Sequence, residues 1–526
     1  MPRTSTGRGP DNRQPTPPGG VLPDCTQKGV AMAATGAPVE SPKKAAASWG
    51  KRYGLILACA VGLAIWLSPV SGVTPTQHKL LSIFGGAIVL WVTLGVNFAV
   101  SIFFITCLLY FWVGNVAGQM KDGVLVRSTD FALSGFSAAN LWLIVTGFVI
   151  CIAMTNTGVA KRLLLHVVRA IGRRPFGAVM AASLTNFVIA PFTPSNTARA
   201  LAMVPVVEGI AESYQVKRGE SNFGRSLALS MAIANNITGS AFLTGTIPNV
   251  MFISAIIGAV GASVYTSWSY WALAAAPTNL LLLFFSGWFL LKMFPPEMTE
   301  IRGGLTRVES ELAAMGPMSG AEKKAIVYFL IAVLLWATDR WHGLNATMIA
   351  FVVSSLIFMP RTGVLEWKDT QNALPWELYV YVGGVTTLST ALAQSKAVDV
   401  IFKNLFASFG LQRVPEFPLL ILLIGFTIFS HMWWSTTTSM TGVMAPIYVS
   451  IAQSMGFDVA KFCLPLAIMM AYALFFPFNT NGNIIMLGTG YFTPNDLLKS
   501  SLPIGIVVWV AWLITALTWW RLIGLV

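Results

Sequence analysis

A short polar run, "TPSNTARA" (193–200), lies between two long apolar stretches of the chain. Ser195, Asn196 and Thr197 supply neutral hydrogen-bonding groups, and Arg199 supplies a fixed positive charge. A second run, "WSTTTSM" (434–440), places Thr436, Thr437 and Thr438 in similar surroundings. Each run is followed by an apolar segment interrupted by Gly, Pro and Asn. The first is "NNITGSAFLTGTIPN" (235–249), where Gly239, Gly245 and Pro248 predict unwinding beside Thr246 and Asn249. The second is "FNTNGN" (478–483), with Asn479, Thr480, Asn481 and Asn483. A polar tip facing an unwound helix offers N–H groups to an anion, while carbonyl, Asn and Thr oxygens can coordinate a monovalent cation. Two such neutral tips suit a small molecule with a carboxylate at each end.

Arg199 is the one cation beside a tip, and an ionisable residue at membrane depth is a functional candidate by default. Three roles are open to it: neutralising substrate charge, replacing a bound cation, or capping a helix end. His431 reads as a packed residue or a proton-carrying group, and Trp433 and Trp434 as packing or wall residues. No Asp or Glu accompanies the tips, although Glu208 follows the first, which disfavours a carboxylate proton relay. No phosphate-binding loop, nucleophile–base pair or H-E-x-x-H run stands out, so ATP-driven transport and a membrane enzyme are both disfavoured.

The elements that must hold these tips are membrane spans. Of 526 residues, 55% are hydrophobic and 10% charged, against about 25% charged in soluble domains. The fold class is therefore an all-α polytopic membrane protein. Apolar segments near 54–70, 80–96, 98–115, 138–160, 226–260, 268–293, 325–338, 345–360, 376–395, 461–491 and 503–522 predict eleven transmembrane helices. The stretches 176–208 and 414–450, apolar on both flanks of a polar centre, predict re-entrant hairpins. Basic residues cluster in short loops, so the net charge of +13 reflects membrane orientation rather than nucleic-acid binding. Lys51 and Arg52 place the N-terminus in the cytoplasm, and eleven spans put the C-terminus outside. "KRLLLHVVRAIGRR" (161–174) predicts a cytoplasmic interfacial helix. The cysteines (Cys25, Cys59, Cys107, Cys151, Cys463) and four histidines are scattered, which argues against a disulfide framework or a resident metal.

Four segments recur about 240 residues apart in the same order, among them "TPSNTARALAMVPV" with "WSTTTSMTGVMAPI" and "GTIPNV" with "NTNGNI". An odd number of spans per half implies opposite insertion, and Asp399 in the counterpart of the basic stretch agrees with an external location. The expected organisation is a disordered cytoplasmic tail (1–48), a first span plus inverted repeat (50–293), a cytoplasmic linker (294–324) and a second repeat (325–526). The tail also admits a true start at Met32. Inverted repeats with broken helices mark secondary transporters.

Through "PSNTARA", "FLTGTIPN" and "FNTNGNIIMLGTGYF" the chain resembles the divalent anion:sodium symporter (DASS) superfamily over roughly residues 50–526. The arginine after the first tip is most similar to its 2-oxoglutarate/malate translocator and citrate/succinate antiporter branch. That resemblance implies eleven spans, two opposed hairpins, homodimers and an elevator-type transport domain in the cell inner membrane. It implies a di- or tricarboxylate substrate held by Ser195, Asn196, Thr197, Thr246, Pro248 and Asn249, and by Thr436, Thr438, Thr480, Asn481 and Asn483, with Thr437 and Arg199 alongside. Sodium-coupled members carry S-N-T at both tips, whereas Thr437 stands here in place of the second Asn. Asn481–Gly482 likewise replaces a Pro pair. The expectation is therefore exchange without a cofactor, the alternative being sodium symport with sodium near Ser195, Asn196, Gly245 and Thr246.

Overall fold

Several helix starts in this chain are set by hydroxyl side chains that accept an otherwise free N–H of the first turn. Ser195 caps Asn196–Ser213, Ser221 caps Asn222–Ala241, Ser267 caps Trp268–Met293, Thr436 caps Thr437–Met455 and Thr480 caps Asn481–Gly488. Such caps matter most at bilayer depth, where no water satisfies a bare N–H.

The computed structural model describes residues 42–69, 72–93, 96–114, 120–121, 124–299, 306–398, 400 and 414–526. Most of the expected tail, and the counterpart of the basic stretch with Asp399, lie outside the described residues. The first helix runs over Pro42–Leu67, so it begins inside the segment expected to be unstructured. Apart from a two-residue antiparallel pairing of Met120–Lys121 with Val124–Leu125, the described residues form helices, turns and loops.

One order of elements occurs twice. A helical pair, Pro175–Ile189 and Asn196–Ser213, precedes a broken helix, Asn222–Ala241 and Ile247–Val260, and then the long helix Trp268–Met293. In the second half Glu416–Ser430 and Thr437–Met455 precede Val459–Met469 and Asn481–Gly488, then Pro494–Leu517. Trp268–Met293 has 26 residues, about 39 Å at 1.5 Å per residue, enough to cross a hydrocarbon core of about 30 Å. The halves exchange partners. Asn196–Ser213 packs against Asn481–Gly488, Ile247–Val260 packs against Thr437–Met455, and the two long helices pack together. Thr278 and Thr515 hydroxyls meet at 2.8 Å between the long helices, and the Trp519 and Trp520 indoles donate to Leu273 O and Ala274 O.

The basic stretch is a helix, Val159–Ile171, that buries Val159, Leu165 and Val168 and exposes Lys161 and Arg169. Arg162 departs from the surface role its neighbours suggest. It is buried, and its Nε donates to Glu322 at 2.7 Å while Nη1 donates to Gly316 O at 3.0 Å. The expected linker therefore carries structure of its own. Its Thr306–Met315 helix packs on Val159–Ile171, and Glu322 opens Gly320–Ala337 within a Ser319 capping box. The Arg162 hydrogen bond holds the Glu322 carboxyl below the usual carboxylate range, against the opposing effect of burial.

Candidate functional site

The first tip is a 3-10 turn, Ala190–Phe192, followed by Thr193, Pro194 and the cap Ser195. Facing it, the broken helix ends at Ala241, makes a 3-10 turn over Leu243–Gly245 and restarts at Ile247. Thr244 Oγ1 donates to Pro191 O at 2.5 Å, and Trp268 Nε1 donates to Thr244 Oγ1 at 3.0 Å, joining tip and break.

Arg199 fills the space between them and has no exposed surface. Its Nε donates to Asn235 Oδ1 at 3.2 Å. Its Nη1 donates to Thr193 O at 2.6 Å and to Gly245 O. Its Nη2 donates to Asn196 Oδ1 and, at 3.0 Å, to Asn235 O. Every N–H of the guanidinium is thereby used, on tip and break oxygens that are all neutral. The sequence left three roles open to Arg199; in the structure it bonds only neutral oxygens of tip and break. Gly245 O and Asn196 Oδ1, two oxygens of the region expected to hold sodium, both accept from Arg199 instead.

Gly239, expected to be a point of unwinding, lies within a helical turn. Its value is space: a Cβ there would sit 2.8 Å from Asn196 Oδ1 and 2.9 Å from Arg199 Nη2. Gly482 has the same role across the halves, since its Cβ would lie 2.5 Å from Asn235 Nδ2 and 3.2 Å from Asn196 O. The start of Asn481–Gly488 is therefore seated on the start of the first tip helix.

A chain of buried amides continues this junction. Asn186 Nδ2 donates to Asn235 Oδ1 at 3.4 Å, Asn235 Nδ2 to Asn196 O at 2.8 Å, Asn196 Nδ2 to Asn236 Oδ1 at 3.3 Å and Asn236 Nδ2 to Asn483 Oδ1 at 2.9 Å. Asn186, Asn235 and Asn236 were not singled out from the sequence. An adjacent Asn pair inside an apolar span was the available signal, because buried amides need partners.

The second tip is built alike, with a 3-10 turn His431–Trp433 and the cap Thr436. Met440 stands at the counterpart of Arg199, and other groups join tip to break. Asn479 Nδ2 donates to His431 O at 2.7 Å and to Trp434 O at 2.9 Å. The buried His431 ring lies 2.9 Å from Thr427 O and 3.2 Å from Met470 O, as a packed, hydrogen-bonded residue should. Trp433 is 76% exposed. The breaks share one device: Asn249 Nδ2 donates to Gly239 O and Phe242 O, and Asn483 Nδ2 to Ala473 O and Phe476 O, ten and seven residues back in each case.

Each tip cap leaves the first two N–H groups of its helix, those of Asn196 and Thr197 and of Thr437 and Thr438, without an acceptor among the described residues. Thr197 and Thr438 are half-buried, Asn481 is exposed, and Thr246, Asn249, Thr480 and Asn483 are buried, with Pro248 in the first turn of its helix. Of these groups, Asn196 lies against Gly482 and is linked to Asn483 through Asn236, while Asn479 donates to the second tip at His431 O and Trp434 O. Free helix-N-terminal N–H groups flanked by hydroxyls can bind a carboxylate. A separate cavity of about 240 Å³, lined by Leu165, Val168, Met203, Val206 and Ile210, includes none of these groups.

The family model for the sodium:sulfate symporter transmembrane region matches residues 50–526. A "membrane protein" of Cupriavidus necator is 27% identical over 480 residues, 90% of this chain and 93% of its own. The L-tartrate/succinate antiporter of Escherichia coli K12 is 26% identical over 400 residues, 75% of this chain and 81% of its own. Among solved structures, the YdaH transporter of Alcanivorax borkumensis has a similar fold, with a TM-score of 0.50 at 15% identity over 83% of this chain and 98% of that one. The Neisseria gonorrhoeae MtrF structure is similar at a TM-score of 0.50 and 14% identity, over 80% of this chain and 93% of its own.

Proposed function

The chain belongs to the sodium:sulfate symporter transmembrane family, a multi-pass membrane transporter and not an enzyme, and from that premise we propose that it exchanges dicarboxylates without sodium. The observation that carries the reading is the Arg199 guanidinium, whose five donors are taken up by tip and break oxygens where a coupling cation would otherwise sit. In the second half Asn479 and His431 join tip to break in the same place. The name of the Escherichia coli relative, an L-tartrate/succinate antiporter, supports four-carbon dicarboxylates of the succinate, malate and tartrate kind and counter-transport.

In this reading one substrate carboxylate accepts from the Asn196 and Thr197 N–H groups and the Ser195 and Thr197 hydroxyls, the other from the Thr437 and Thr438 N–H groups and hydroxyls. The clustered Asn and Thr residues of the breaks complete the shell. The site opens alternately to the two sides of the inner membrane by an elevator-type movement within a homodimer, with the N-terminus cytoplasmic. The empty site carries the charge of Arg199 and, at each tip, about half a positive charge from the helix N-terminus, and a bound dianion offsets these together. Return of the empty site is then slow, and exchange outpaces net flux. Labelled succinate in reconstituted vesicles tests this. Efflux should be fast with unlabelled dicarboxylate outside and slow without it; equal rates would refute exchange.

A further inference from the structure

The five acceptors around Arg199 are not equivalent. Asn235, fully buried in Asn222–Ala241, supplies two of them, its Oδ1 at 3.2 Å from Nε and its main-chain oxygen at 3.0 Å from Nη2. Its Nδ2 also reaches the tip, donating to Asn196 O at 2.8 Å, and its Oδ1 accepts from Asn186 at 3.4 Å. One side chain therefore orients the guanidinium and pins the first tip helix. It is also the place where a carboxylate of nearly the same size would form an ion pair with Arg199 without any change of backbone.

We propose that Asn235 is a positioning residue that sets the coupling of the carrier: by holding Arg199 through a neutral amide, it leaves the empty site charged and so enforces exchange. This rests on the exchange reading above. Buried arginines are ordinarily paired with an acid, because an unpaired charge in a low-dielectric interior is costly. Here all five partners are neutral, so the charge is well hydrogen-bonded but uncompensated. A dianionic substrate supplies one negative charge against Arg199 and a second against the two tip-helix N-termini, and the empty site has neither. An acid at 235 would supply it permanently, and the empty site would cross as readily as a neutral group.

The test compares three full-length variants, reconstituted in choline medium so that no sodium enters a vacated cage. Asn235→Asp should raise net efflux and lower the ratio of exchange to net efflux by about tenfold or more, the range set by the cost of an unpaired charge at depth. Arg199→Gln, which removes the charge outright, should move the ratio in the same direction and carries the test if the first variant does not fold. Asn235→Ala loses the Asn196 contact without adding charge, so it should lower both fluxes together and keep the ratio. A purely structural Asn235 would make Asn235→Asp behave like Asn235→Ala. A monodisperse Asn235→Asp protein with the unmodified ratio overturns the proposal. Absence of trans-stimulation in the unmodified protein would instead refute the exchange reading, whatever the variants do.

Discussion

Replacing Arg199 by Ala empties a cage of oxygens and should create a sodium site. The guanidinium donates five hydrogen bonds, to Thr193 O, Gly245 O, Asn196 Oδ1 and both oxygens of Asn235. Bonds to a charged donor contribute about 1.5–3 kcal/mol each in isolation. Their sum overstates the loss, because the variant no longer bears the several-kcal/mol penalty of keeping a guanidinium from water. Orphaned buried acceptors cost about 1–3 kcal/mol each, and entering water recovers part of that, so a net loss of about 3 kcal/mol is expected. Several neutral oxygens converging on one point are also what a monovalent cation requires. Sodium at about 100 times its dissociation constant would restore about 2.7 kcal/mol, most of the deficit. The assay is thermal unfolding of purified protein in sodium chloride against choline chloride at equal ionic strength. The unmodified protein should unfold at the same temperature in both, and Arg199→Ala should unfold several degrees lower in choline and recover saturably with sodium. A variant as stable as the parent, or one indifferent to sodium, would refute the cage argument.

Other perturbations probe separate parts of the account. Asn196→Ala should lower exchange at least tenfold while the protein stays folded, since it removes an Arg199 acceptor and the amide link to Asn236; normal uptake kinetics would take the first tip out of the site. Gly482→Ala should impair transport and thermal stability together, because its Cβ meets Asn235 Nδ2 at 2.5 Å and Asn196 O at 3.2 Å; unchanged behaviour would mean that the halves are not seated as described. Glu322 titrates below its unfolded counterpart because Arg162 donates to it. Its contribution to stability should be complete above the ordinary glutamate range near pH 4.3 and vanish as pH falls through the lower folded value. Glu322→Gln should unfold more easily at neutral pH and lose that acid dependence; a parent-like acid profile in the variant would sink the assignment.

What could be read from the sequence was the polar interruption of apolar spans. Ser195, Thr436 and Thr480 mark helix starts by residue type, and the placement of tip against break follows from where unsatisfied backbone is tolerated. The chemistry of Arg199 was open because residue type does not say which way a long side chain turns; its direction depends on Asn235 and Gly245, 36 and 46 positions away. Gly239 read as a point of unwinding and Gly482 as half of an Asn-Gly in place of a Pro pair, yet both serve close packing, which only the neighbouring atoms reveal. Arg162 lay among surface cations, and its burial depends on Glu322, 160 residues distant. Asn186, Asn235 and Asn236 passed as polar residues in a span, since a hydrogen-bonded network across two halves has no local periodicity.

The central claim is that Arg199 permanently takes the place of a coupling cation. It is tested most directly by counterflow of labelled succinate in vesicles held at a fixed membrane potential, with sodium replaced by choline. At about 6 Å and an effective dielectric near 20, a sodium ion beside the guanidinium would be repelled by roughly 3 kcal/mol, enough to weaken binding more than a hundredfold. The account predicts trans-stimulated exchange that changes by less than about twofold on this replacement. A steep, saturable dependence on sodium would contradict it and establish sodium-coupled symport instead.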